Sequence, residues 1–73
     1  MEQEIAVQDE FMTLTQVLKE IGIIPSGGAA KFFLQETEVR VNGEPENRRG
    51  KKLYPGDTIW IDGFGELRLT NAD

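Results

Sequence analysis

Arg48, Arg49, Lys51 and Lys52 fall within five positions of a 73-residue chain and supply half of its eight cations. Upstream, Ser26, Gly27 and Gly28 open a run with helical spacing, and Lys31 stands one turn further on. Clustered guanidinium and ammonium groups hold phosphate, and so do backbone N–H groups left bare by glycine at the positive end of a helix. The chemistry on offer is binding of a polyanion, with a phosphate backbone as the leading candidate. Each feature also has an ordinary structural explanation. A glycine-containing cationic loop is commonly just solvated, and paired glycines let neighbouring segments pack closely. Glycine in a first helical turn gives up about 1 kcal/mol relative to alanine, so one of these reasons must account for Gly27 and Gly28. Arg40 and Asn42 can extend the cationic face, although a strand residue and a turn residue are equally explained by local structure.

Composition narrows the function further. With no cysteine and no histidine, the chain has no disulfide, no thiolate metal site and no near-neutral acid or base. Asp57 and Asp62 flank an apolar run, but both occupy turn positions that favour Asp for local hydrogen bonding, and neither has a nucleophile or orienting partner in view. We therefore expect no catalysis, no metal, no cofactor and no small-molecule substrate. Trp60 and Tyr54 have faces on which a base could stack, yet packing over a sheet is the commoner use of such residues.

The net charge of −5 is unevenly spread. Residues 1–30 carry one Lys against five acids, residues 31–52 carry six cations against four acids, and residues 53–73 carry one Arg against four acids. Only the middle third is cationic. The segment MEQEIAVQDE lacks the basic and apolar regions of a secretory signal, and no window approaches the roughly 18 apolar residues of a membrane span. The expectation is a cytoplasmic, monomeric protein with one domain over residues 1–73, near the lower size limit for independent folding.

The elements that must position these residues are legible in order. Ile5 and Val7 alternate in an edge strand over Glu4–Val7. Thr13 caps a first helix with Gln16 in a capping box, and Leu14, Val17, Leu18 and Ile21 form its inward stripe. Gly22 ends that helix. Ile23, Ile24 and Pro25 connect it to a second helix, capped by Ser26, with Ala30, Phe33 and Leu34 inward and Lys31 and Gln35 outward. Phe32 lies at the core's edge or in solvent. Val39 and Val41 belong to a strand that turns at Asn42-Gly43, a type I′ signal, and Pro45 restricts the returning arm to an edge. Pro55-Gly56 reads as a type II turn, followed by a strand over Thr58–Ile61, a turn at Asp62-Gly63 and a closing strand over Phe64–Leu69. The fold class is α+β, with two packed helices against a small, mostly antiparallel sheet.

Taken together, Ser26-Gly27-Gly28-Ala29-Ala30-Lys31, Val39-x-Val41-Asn42-Gly43-Glu44, Glu46-x-Arg48-Arg49-Gly50-Lys51-Lys52-Leu53 and Pro55-Gly56-Asp57 resemble a known pattern. The chain is similar to the small stand-alone bacterial YaaA/YbcJ-like members of the S4-type RNA-binding family, over about residues 12–61. The resemblance implies an αL motif, in which two helices and a β-loop grip structured RNA without catalysis. It assigns Ser26, Gly27, Gly28 and Lys31 to a helix start at the RNA, Asn42 to the turn, and Arg48, Arg49, Lys51 and Lys52 to phosphates. Two positions depart from the wider family pattern. Gly27 stands where Arg is common after the serine, and Thr37 stands where Gly often precedes the strand.

The expected function is non-catalytic binding of structured RNA, ribosomal or transfer RNA, in ribosome assembly or translation. The rival is an adaptor that presents the same cationic patch to an acidic protein partner. RNA binding requires the helix start and the Arg48–Lys52 loop to lie on one side of the molecule.

Overall fold

A computed structural model describes residues 3–72. Strand β1 (Gln3–Val7) is followed by β2 (Met12–Thr13), helix α1 (Leu14–Glu20), helix α2 (Ala29–Glu36), β3 (Val39–Val41), β4 (Glu44–Pro45), β5 (Lys52–Leu53), β6 (Thr58–Ile61) and β7 (Gly65–Asn71). Five strands form one sheet in the order β1-β7-β6-β3-β4, and β2 pairs with β5 in a second, two-stranded ladder. All pairings are antiparallel except β1 with β7, where Ile5 lies beside Leu69. The α+β class with a mostly antiparallel sheet is as expected. The parallel closure and the two-residue ladder are additions to it.

Local chemistry explains the elements. The Thr13 hydroxyl accepts the Gln16 N–H, while the Gln16 side chain accepts the Thr13 N–H at 2.8 Å, completing the capping box. At the other end of α1, Gly22 adopts φ 77° and donates to Lys19, and Ile23 donates back to Leu18. This is the Schellman closure that frees the chain to turn toward α2. Asn42 and Gly43 both have positive φ, 52° and 85°, as the two-residue type I′ turn between β3 and β4 requires. Tyr54 to Asp57 forms the expected turn, with the Asp57 N–H on the Tyr54 carbonyl.

The start of α2 differs from expectation. Ser26 does not cap it: the helix begins at Ala29, and Gly28 occupies the cap position with φ −66° and no side-chain cap bond. Instead the carbonyls of Ser26 and Gly27 accept the Ala29 and Ala30 N–H groups, making a tight turn that leads into the helix. Gly27 and Gly28 thus lie before the helix interior, where glycine would cost most, so less stability is given up than the sequence suggested. At the far end, Thr37 is extended at φ −125° and closes the helix by donating to Phe33, which avoids the left-handed geometry that glycine would supply.

One core receives residues from every layer. Val17 and Leu18 of α1, Ala30 and Leu34 of α2, Leu53 of β5 and the inward residues of β3, β6 and β7 join a common buried cluster. Alternation in β6 sends Ile59 and Ile61 inward and leaves Trp60 half-buried on the opposite sheet face. Phe32, 67% accessible, is exposed to solvent.

Candidate nucleic-acid interface

The segment between β4 and β5 carries Arg48, Arg49 and Lys51 of the cation cluster, with Lys52 opening β5, and five backbone or side-chain links hold it in place. Glu46 N–H donates to Val39 of β3, and Lys51 N–H donates to Arg48, closing a turn within the loop. The Leu14 N–H donates to the Lys51 carbonyl at 2.9 Å and the Thr15 N–H to the Arg49 carbonyl at 3.0 Å. Thr15 Oγ1 adds a second bond to that same carbonyl at 2.8 Å. The first amides of α1, which no helical turn can satisfy, are therefore spent on the loop backbone. With its carbonyls drawn inward, the loop keeps Arg48, Arg49 and Lys52 exposed and Lys51 half-exposed.

The start of α2 lies near the same threonine: a Cβ placed on Gly27 would stand 3.6 Å from Thr15 Cγ2. Beyond this point, Lys31, Leu34, Gln35, Asn47 and Arg49 line a common depression. Two of its five lining residues are cations and none is a carboxylate, so the first turn of α2 and the loop converge on a local excess of positive charge. A second depression lies toward the hairpin and is lined by Asn42, Arg48, Lys51 and Lys52, together with Glu44, Glu46 and Asp57. Here three cations meet three acids and the local charge is balanced.

Two of those acids, Glu46 and Asp57, are already engaged. Glu46 accepts from Arg48 Nε at 2.9 Å, from its Nη2 at 3.2 Å and from its backbone N–H at 3.0 Å. The side-chain hydrogen bond from Arg48 holds the Glu46 carboxyl below its ordinary value, and the same bond raises the Arg48 guanidinium. The Arg48 side chain is nevertheless 70% accessible, so the pair is screened by water and Arg48 keeps a face open. Asp57 accepts from Asn42 Nδ2 at 3.1 Å and from the Tyr54 N–H at 2.8 Å. Asn42 in turn accepts the Thr58 N–H at 3.0 Å. Asn42 and Asp57 thus fasten the β3–β4 turn to the Tyr54–Asp57 turn, a structural task for both.

Arg40 is placed apart. It projects from the outer face of the sheet, bonded to Glu38 and 5.8 Å from the centre of the Trp60 ring, and lines neither depression. Ser26 and Gly28 are exposed beside Gly27 at the α2 start. Close packing does not explain either glycine. A methyl group on Gly27 finds only ordinary contact, and one on Gly28 has the Ser26 hydroxyl at 4.0 Å.

Two residues of this region escaped sequence reasoning. Thr15 reads as an unremarkable polar position in a first helical turn, and its partner Arg49 lies 34 positions away. Asn47, beside Arg49 in the acid-free depression, carries no signal of its own. Among the described residues, no group of His, Cys, Asp and Glu is arranged to hold a metal ion, and no helix is long and apolar enough to cross a membrane.

With a capped first helix, a glycine-led second helix and a cationic β-loop bonded to the start of the first, the chain belongs to the S4 domain family, whose model matches residues 5–68. It is 52% identical over 71 residues to a protein of Bacillus subtilis (strain 168) called "Probable ribosome maturation protein RlbA". That similarity covers 97% of this chain and 100% of the Bacillus protein.

Proposed function

We infer that the protein is a non-catalytic RNA-binding protein that grips structured RNA through the phosphate backbone. The two helices and the β-loop act as an αL motif over about residues 12–61. The observation that carries this reading is the acid-free depression where Lys31 of α2 and Arg49 of the loop meet. Around it, Gly27 and Gly28 offer backbone N–H groups that Ala29 and Ala30, already bonded to carbonyls, do not. Lys51 and Lys52 extend the contact along the loop, and Arg48 joins it through the face that Glu46 leaves open. The side chains present suit phosphates and shape better than base edges, so sequence preference is weak. Similarity to a protein named for ribosome maturation favours ribosomal RNA as the target and subunit assembly as the setting. The adaptor alternative has no specific observation in its favour.

If four to six phosphates are engaged, log K for a structured RNA falls with log salt at a slope of about −3 to −5. Titration of a ribosomal RNA fragment between low and moderate salt measures this slope. Binding that is unchanged across that range would remove the phosphate grip.

A further inference from the structure

Lys52 and Tyr54 flank the fully buried Leu53, so strand alternation turns both outward on the side away from the core. There they meet Phe11, which comes from the segment between β1 and β2. The Tyr54 and Phe11 rings lie 5.9 Å apart at 51°, and Lys52 Nζ sits 5.0 Å from the centre of the Phe11 ring. The backbone beneath Tyr54 is fixed on both sides, by Leu53 in the core and by the Tyr54 N–H bond to Asp57. Yet Tyr54 remains 44% accessible, and it lines the hairpin-side depression together with Arg48, Lys51 and Lys52. An aromatic with an anchored backbone and an open surface, bordered by three cations and by Glu44, Glu46 and Asp57, supplies the π platform of a single-strand nucleic-acid site.

We propose that Tyr54, buttressed by Phe11 and flanked by Lys52, is a stacking platform for one unpaired nucleobase of the bound RNA. This deepens the phosphate-grip reading and rests on it. The Lys31–Arg49 depression holds the backbone of a folded RNA, while Tyr54 selects RNAs with a bulged or looped-out base at a fixed distance from that contact. Charge balance in the hairpin-side depression suits this division, because a neutral base needs less positive charge than a phosphate does. Tyr54 thereby makes the protein favour irregular over perfectly paired RNA without reading the identity of the base.

The test compares two RNA hairpins with equal numbers of phosphates, one fully paired and one with a single bulged 2-aminopurine, against wild type, Tyr54→Phe and Tyr54→Leu. Leucine preserves an apolar cover for Phe11 and removes the π face, and thermal melting verifies that the variant folds. Wild type and Tyr54→Phe should prefer the bulged hairpin and quench the 2-aminopurine. Tyr54→Leu should lose the quench and about 5- to 100-fold in affinity for the bulged hairpin, with binding to the paired hairpin unchanged. A quench and preference that persist in Tyr54→Leu would overturn the proposal, as would a wild type that binds both hairpins equally. In the latter case salt-dependent binding would leave the phosphate grip intact. Failure to bind either hairpin at low salt would remove the grip and the platform together.

Discussion

Arg48 and Arg49 are neighbours in sequence with unlike surroundings. Arg49 faces the acid-free depression beside Lys31, whereas Arg48 is bonded to Glu46. Arg49→Ala should therefore reduce RNA affinity uniformly across sequences and flatten the salt slope by about one. Arg48→Ala should do less on both measures, and equal effects from the two would show that the Glu46 pair does not matter for binding. The pair itself has a pH signature. Because Arg48 lowers the Glu46 carboxyl, its contribution to stability is complete above the ordinary carboxylate range and is lost as pH falls through the depressed folded value. An NMR titration should find the Glu46 midpoint below that of free glutamate in wild type and shifted upward in Arg48→Ala, which loses the side-chain bond. An ordinary midpoint in both would mean that the pair is not populated in solution.

Among the elements, the start of α2 distinguishes folding from function most sharply. Neither the backbone at Gly28 nor the space around Gly27 demands glycine. Gly27→Ala should leave the urea midpoint unchanged or raise stability by about 0.4–1 kcal/mol. RNA affinity should nonetheless fall about tenfold or more, because the methyl group keeps a charged phosphate from the backbone N–H. Retained affinity would confine the contact to side chains. The same element shows what sequence could and could not reveal. Glycines, a serine and a downstream lysine announced a helix start, but the exact first turn was misplaced. Competition between a Ser26 side-chain cap and a Ser26 carbonyl turn is decided by geometry finer than residue type. The capping box at Thr13, the Gly22 closure and the Asn42-Gly43 turn were legible because each depends on residues a few positions apart.

Across the whole molecule, the features hidden from sequence are those that join distant segments. The parallel pairing of β1 with β7 sets residues 3–7 beside residues 67–71, and no local pattern encodes so distant a partner. The β2–β5 ladder is two residues long on each side, too short for periodicity to register, yet it sets the loop against the start of α1. The candidate site was legible as a list of cations and glycines. Its division into an acid-free depression and a balanced one was not, because the Glu46 and Asp57 contacts and the Thr15 bond to the loop depend on the folded arrangement. An acidic protein with a small cationic face should orient toward RNA through that face alone.

The most direct test is a double-mutant cycle on Lys31 and Arg49 in binding to a structured ribosomal RNA fragment, with the exposed Lys19→Ala on α1 as control. Lys31→Ala and Arg49→Ala should each weaken binding well beyond the control. Their combined effect should differ from the sum by about 0.5–3 kcal/mol, as expected of residues that share one partner. Losses no larger than that of Lys19→Ala, simply adding in the double variant, would contradict a common phosphate grip by the second helix and the loop.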